Sequence, residues 1–126
     1  MSGLVKEWIK KAEEDYEAAC ALARKRGKAT PDVVCFCAQQ CAEKYFKAYL
    51  VFKRLKVPKT HDLMELLTIV ACNDSSFELI HDLLERLNSY AVEFRYPGED
   101  ATKGEARAAV KAITEVSHFF RSKSIH

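Results

Sequence analysis

Lys59, Thr60, His61 and Asp62 put a cation, a hydroxyl, an imidazole and a carboxylate at consecutive positions just before Leu63. An imidazole can accept or release a proton near neutral pH, and a lysine can hold a phosphate as a point charge. The same residues also suit a plain helix start, with Thr60 or Asp62 as the cap and His61 bonded near the loop. Upstream, no acidic residue occurs between Glu43 and Asp62, whereas Lys44, Lys47, Lys53, Arg54, Lys56 and Lys59 supply six positive charges. Tyr45, Tyr49 and Phe52 lie among them, an interleaving compatible with phosphate contact and base stacking. The competing reading is a solvated helix face whose aromatic rings belong to the core. Arg95-Tyr96-Pro97 is a third group. Arg95 near a helix C-terminus is favoured by the macrodipole without any ligand, and Tyr96 can lock the helix end by packing.

These candidates sit in a chain of 126 residues, 48% hydrophobic and 30% charged, with a net charge of only +2. That size and apolar content fit one globular domain, here residues 1–126, with a buried core, and exclude a disordered tail or a wholesale polyanion binder. Any basic function is local. No run approaches the roughly 18 apolar residues of a membrane span, and the first residues mix charged with apolar side chains, so a cytoplasmic protein is expected. Cys20, Cys35, Cys37, Cys41 and Cys72 are odd in number and lack zinc-knuckle spacing, and they read as buried, reduced thiols with no metal.

Only four glycines and three prolines interrupt the chain, and they fall between segments of helical periodicity. The first helix is expected over about Leu4 to Lys25, with Val5, Trp8, Ile9, Ala12, Tyr16, Ala19, Cys20 and Ala23 inward. A second, from about Asp32 to Lys56, carries Val33, Val34, Cys37, Cys41, Tyr45, Ala48 and Phe52. Asp62-x-x-Glu65, Ser75-x-x-Glu78 and Thr102-x-x-Glu105 read as capping boxes opening three more helices. Their apolar positions include Leu66 and Leu67, then Phe77, Leu84 and Ala91, then Ala109, Ile113 and Phe120. The fold expected is an all-α, up-and-down bundle of about five helices.

Short connections favour antiparallel neighbours. Strict alternation would gather the end of the second helix, the start of the third, the end of the fourth and the start of the fifth at one pole. Lys56, Lys59, His61, Arg95 and Tyr96 would then form a basic site.

Four separated blocks together resemble the HEPN family. They are Trp8 with Ala12, Asp15 and Ala19; Phe36 to Lys44 with Lys47 and Ala48; Lys59 to Leu63; and Phe94-Arg95-Tyr96-Pro97. The resemblance implies a helical bundle, commonly a homodimer, whose prokaryotic members are often encoded beside a minimal nucleotidyltransferase as a toxin–antitoxin-like pair. Many members are metal-independent ribonucleases marked by Arg, four to six residues, then His. From Arg95 the matching positions are Asp100, Ala101 and Thr102, so the motif is missing there. Arg54 to His61 has the spacing but crosses a loop, and Arg121 to His126 lies at the chain end.

The expected function is therefore binding of a nucleotide or RNA at Lys56, Lys59, His61, Arg95 and Tyr96, without a cofactor and with no catalytic residue assigned. A nucleotidyltransferase is the implied protein partner. The alternatives are a metal-independent endoribonuclease, using His61 with Arg54 or Arg95, and a purely structural dimeric adaptor. Self-association is expected from the resemblance and from the number of aromatic residues.

Overall fold

The computed structural model describes residues 3–25, 31–90, 98 and 100–123. Among the described residues there are five α-helices: α1 (Gly3–Arg24), α2 (Pro31–Phe52), α3 (Leu63–Ala71), α4 (His81–Asn88) and α5 (Lys103–Arg121). A 3₁₀ segment, Ser75–Ile80, leads directly into α4. The architecture is the expected all-α bundle of five helices. None of the helices is long and apolar enough to cross a membrane, among the described residues.

Helix α2 is the central pillar. It is apolar around most of its circumference, and Val34, Cys35, Ala38, Cys41, Ala42, Tyr45, Phe46, Ala48, Tyr49 and Leu50 are all buried in the core. An all-round apolar helix has to be enclosed by its neighbours. Here α1 packs antiparallel on it, so that Asp15 pairs with Lys44 and Trp8 lies beside Lys47.

The helices do not alternate strictly. Asp32 at the start of α2 accepts a hydrogen bond from the Ala101 backbone N–H ahead of α5, at 2.7 Å. Toward the other end, Tyr45 stacks on Phe120 near the close of α5, ring centroids 5.3 Å apart. Helices α2 and α5 therefore run parallel. Helix α3 also runs with α2, since its entry is held at the level of Gln39 and the turn after it reaches Tyr49 through Phe77.

The cause is the link 53–62. From Phe52 back to the level of Gln39 is about 20 Å at 1.5 Å per helical residue, and ten extended residues reach about 33 Å. The link runs back along α2, so α3 starts halfway down it. The starts of α3 and α5 and the end of α4 do gather, with the Leu63 N–H donating to Asn88 Oδ1 at 2.8 Å and Tyr90 donating to Glu105 at 3.3 Å. The end of α2 lies at the opposite pole.

Helix α2 also stops before the expected Lys56. Arg54 adopts φ 59°, and the N–H groups of Arg54 and Leu55 return to the carbonyls of Val51 and Leu50 at 3.0 and 2.8 Å. This is a Schellman termination with arginine where glycine is usual, at a backbone cost of about 1 kcal/mol.

Thr102 and Glu105 form the full capping box. Asp62 caps α3 through Met64 and Glu65, while its own N–H goes to Thr60 Oγ1. The third cap is Asp74, which accepts from the Ser76 N–H, rather than Ser75. Asp74 also receives Lys123 Nζ at 2.8 Å, tying the end of α5 to the 3₁₀ segment. The hydrogen bond from Lys123, followed by that from the Ser76 hydroxyl, holds the Asp74 carboxyl at about 2 against an ordinary 3.8.

A carboxyl lowered in the folded state stabilises above its unfolded pKa and loses that contribution as pH falls through its folded value. Wild-type melting temperature is therefore expected to drop more steeply between about pH 4 and pH 2 than that of Asp74→Asn. Solvent reaches both side chains, so the difference corresponds to about 1 kcal/mol or less. Parallel pH profiles of the two proteins would contradict the assignment.

Candidate functional site

At the level where the link crosses α2, two buried polar side chains interrupt an apolar surface. Gln39 is 0% and Glu43 3% exposed, and their four-residue spacing puts them on one helix face. Both hold His61. Gln39 Nε2 donates to the His61 carbonyl at 2.9 Å, and His61 Nδ1 bonds Glu43 Oε1 at 2.9 Å. Gln40 Nε2 donates to Gln39 Oε1 at 2.7 Å, so the amide oxygen has a partner as well.

The second carboxylate oxygen of Glu43 accepts from Lys47 Nζ at 2.8 Å, and that ammonium lies 5.6 Å from the centre of the Trp8 ring. The charge of Glu43 is thus already balanced within α2 before His61 is counted. Burial of a carboxylate is tolerated only with such pairing. The His61 side chain is 72% exposed, so the ring is anchored on one edge and open on the other.

The six cations of the basic stretch divide into two groups. Lys44 pairs with Asp15 at 2.5 Å and Lys47 with Glu43, so both serve the fold. Lys53 lies over the Tyr49 and Phe52 rings at 5.7 and 5.6 Å. Arg54, Lys56 and Lys59 are exposed, and none makes an ion pair with a described residue. The expected site residues Lys56, Lys59 and His61 thus belong to one surface link, which begins at the far pole and ends beside Asp62. Arg95 and Tyr96 fall outside the described residues, as do Ala91, Phe94 and Pro97.

Three expectations are corrected. Tyr45 and Tyr49 are each only 2% exposed, in the aromatic cluster with Phe46, Phe77 and Phe120, and cannot stack on a base. Central α2 has neighbours on several sides and buries more than one stripe, so the aromatic content gives no reason for self-association. Buried placement of the thiols holds for Cys35 and Cys41, but Cys20 and Cys37 are half-buried and Cys72 is exposed.

Burial pushes the Cys41 thiol up, and burial followed by Asp15 does the same to Cys37, so neither is a ready thiolate nucleophile. Among the described residues, no group of three or more His, Cys, Asp or Glu side chains is placed to hold a metal ion.

Glu43, Gln39, Lys47 and Trp8 are the residues that residue-by-residue reading missed as a site. Their signal was the i, i+4 pair of polar residues on an otherwise apolar face of α2.

Comparison with known proteins agrees with this architecture. An archaeal HEPN homologue of known crystal structure superposes with a TM-score of 0.72 at 24% identity, covering 100% of both chains. A crystal structure of a Thermus thermophilus protein gives a TM-score of 0.80 at 23% identity, over 97% of this chain and 99% of that one. These likenesses concern the fold. No curated protein matches. The HEPN domain profile matches residues 5–123, and the chain belongs to the HEPN domain family.

Proposed function

We propose that this protein is a cytoplasmic HEPN-domain protein that binds a nucleotide or RNA on the link 53–62, with Lys56 and Lys59 on phosphates and His61 beside them. Arg95 and Tyr96 are assigned to the same site from the family resemblance of the Phe94-Arg95-Tyr96-Pro97 block, not from helix alternation. The observation that carries the reading is a run of exposed cations without described acidic partners, leading to a histidine that two buried side chains hold in place. Phosphate is the ligand group that such a run suits, because each phosphate neutralised by a lysine releases the counterions condensed on it. Family membership supports the remaining assignments: a homodimer, acting with a minimal nucleotidyltransferase in a toxin–antitoxin-like pair.

A second reading, metal-independent endoribonuclease, is favoured by the carboxylate-anchored imidazole. His61 would act as general base, and Arg54 or Arg95 would stabilise charge.

Fluorescence anisotropy with a labelled single-stranded RNA, in the presence of chelator, tests both. The double variant Lys56→Glu/Lys59→Glu is expected to bind about tenfold or more weakly, and its salt slope should fall by about 1.4, or about 0.7 for each phosphate no longer neutralised. Unchanged affinity would overturn the binding site. If the RNA is cut, His61→Ala should lower the rate by about 10²-fold, and an unchanged rate would remove His61 from the chemistry.

A further inference from the structure

We infer that Arg54 grips a phosphate at the start of the link, from a left-handed backbone that an arginine adopts only at some loss of stability. The inference rests on the binding reading above and adds to it a second anchoring point, separate from His61.

Among the described residues, Arg54 is the one non-glycine residue with a positive φ, 59°. It stands where the chain reverses after α2, its N–H on the Val51 carbonyl and the Leu55 N–H on the Leu50 carbonyl. Glycine is the usual occupant of such a position and asparagine the next, because a Cβ there crowds the following carbonyl oxygen. Arginine suits the turn less well than either. Residues held in strained backbone conformations cluster at ligand clamps, where the side chain has a task that the relaxed residue could not perform.

No described contact within the chain offsets the strain. Arg54 is exposed, and its guanidinium forms no ion pair or hydrogen bond with a described residue. The end of α2 attracts a cation through its dipole, but Lys53 supplies one from the preceding position, lying over the Tyr49 and Phe52 rings. The turn itself uses only backbone atoms. What arginine adds over glycine is therefore the guanidinium. Its planar fork of donors matches two oxygens of one phosphate, whereas Lys56 and Lys59 are point charges.

Arg54 bonds α2 at Val51, and the His61 carbonyl bonds it at Gln39. At 1.5 Å per helical residue these levels are about 18 Å apart along α2. Arg54 and His61 thus hold different parts of a ligand, with Lys56 and Lys59 between them, and within one chain the endoribonuclease reading falls to Arg95. Free nucleotide and RNA both offer the phosphate that Arg54 would take.

Three variants test the inference. Arg54→Gly and Arg54→Asn relax the backbone and remove the charge, while Arg54→Lys keeps the charge and loses the fork. The first two should unfold at a urea midpoint higher by roughly 0.3–0.5 M. They should also bind a labelled single-stranded RNA hexamer, or ATP, about tenfold more weakly, with the hexamer salt slope lower by about 0.7. Arg54→Lys should keep the wild-type midpoint and salt slope and still bind about threefold more weakly. A loss confined to the hexamer identifies RNA as the source of the phosphate, and one confined to ATP identifies free nucleotide. Unchanged affinity of Arg54→Gly and Arg54→Asn for both ligands would overturn the assignment, and if Lys56→Glu/Lys59→Glu still weakened binding, the link site would stand without Arg54. Wild-type affinity in Arg54→Lys would overturn the fork, and a midpoint that does not rise in the first two variants would overturn the strain on which the inference rests. Failure of the wild-type protein to bind either ligand would overturn this inference and the binding reading together.

Discussion

Replacing Phe120 with alanine is expected to lower the unfolding free energy by about 3–5 kcal/mol, measured by urea denaturation at constant pH. Phe120 is fully buried and is the ring on which three elements meet. It stacks on Tyr45 of α2 at 5.3 Å, meets Phe46 edge-on at 5.0 Å, and touches Phe77 of the 3₁₀ segment at 5.5 Å. Truncation removes the transfer free energy of the ring and leaves a cavity that these rigid neighbours cannot fill by rotating. Against a typical domain stability of about 5–15 kcal/mol, the variant would be marginal. A destabilisation below about 1 kcal/mol would mean that α5 does not close the core in this register.

Glu43→Ala is expected to cost about 3 kcal/mol and also to loosen the binding link. Lys47 would be left without its partner while its side chain remains only 13% exposed, and an unpaired buried cation accounts for most of the cost. The double variant Glu43→Leu/Lys47→Met removes both charges and should recover most of the stability, since apolar replacement of a buried pair is often close to neutral. It should not recover the link. With no carboxylate to receive His61 Nδ1, amide hydrogen exchange over residues 53–62 is expected to stay accelerated in both variants. Wild-type protection of the link in the double variant would show that Glu43 contributes only charge balance.

Much of the fold was legible because helical periodicity and the Thr102 and Asp62 caps agreed with one another. The link 53–62 was not. Helix α2 ends at a left-handed Arg54, and without glycine there the helical pattern reads on to Lys56. That error of four residues hid the length of the link, and with it the parallel course of α2, α3 and α5. Similarly, Asp74 rather than Ser75 caps the next segment because Lys123, distant in sequence, supports its carboxylate.

Lys56, Lys59 and His61 were recognisable by type and clustering. Which of the six cations remain available was not, since the pairing of Lys44 with Asp15 depends on how α1 packs. The anchoring of His61 needed the fold as well, because Glu43 meets it only when the chain doubles back along α2.

The central claim is that the link carries the ligand, and the most direct measurement is a residue-resolved amide chemical-shift map of the ¹⁵N-labelled protein titrated with a short single-stranded RNA. The account predicts saturable shifts that concentrate on residues 53–62 and on the α2 turn containing Gln39 and Glu43, with the His61 side chain among the most affected. Saturable shifts confined to another surface, with the link and the His61 ring unmoved, would contradict it.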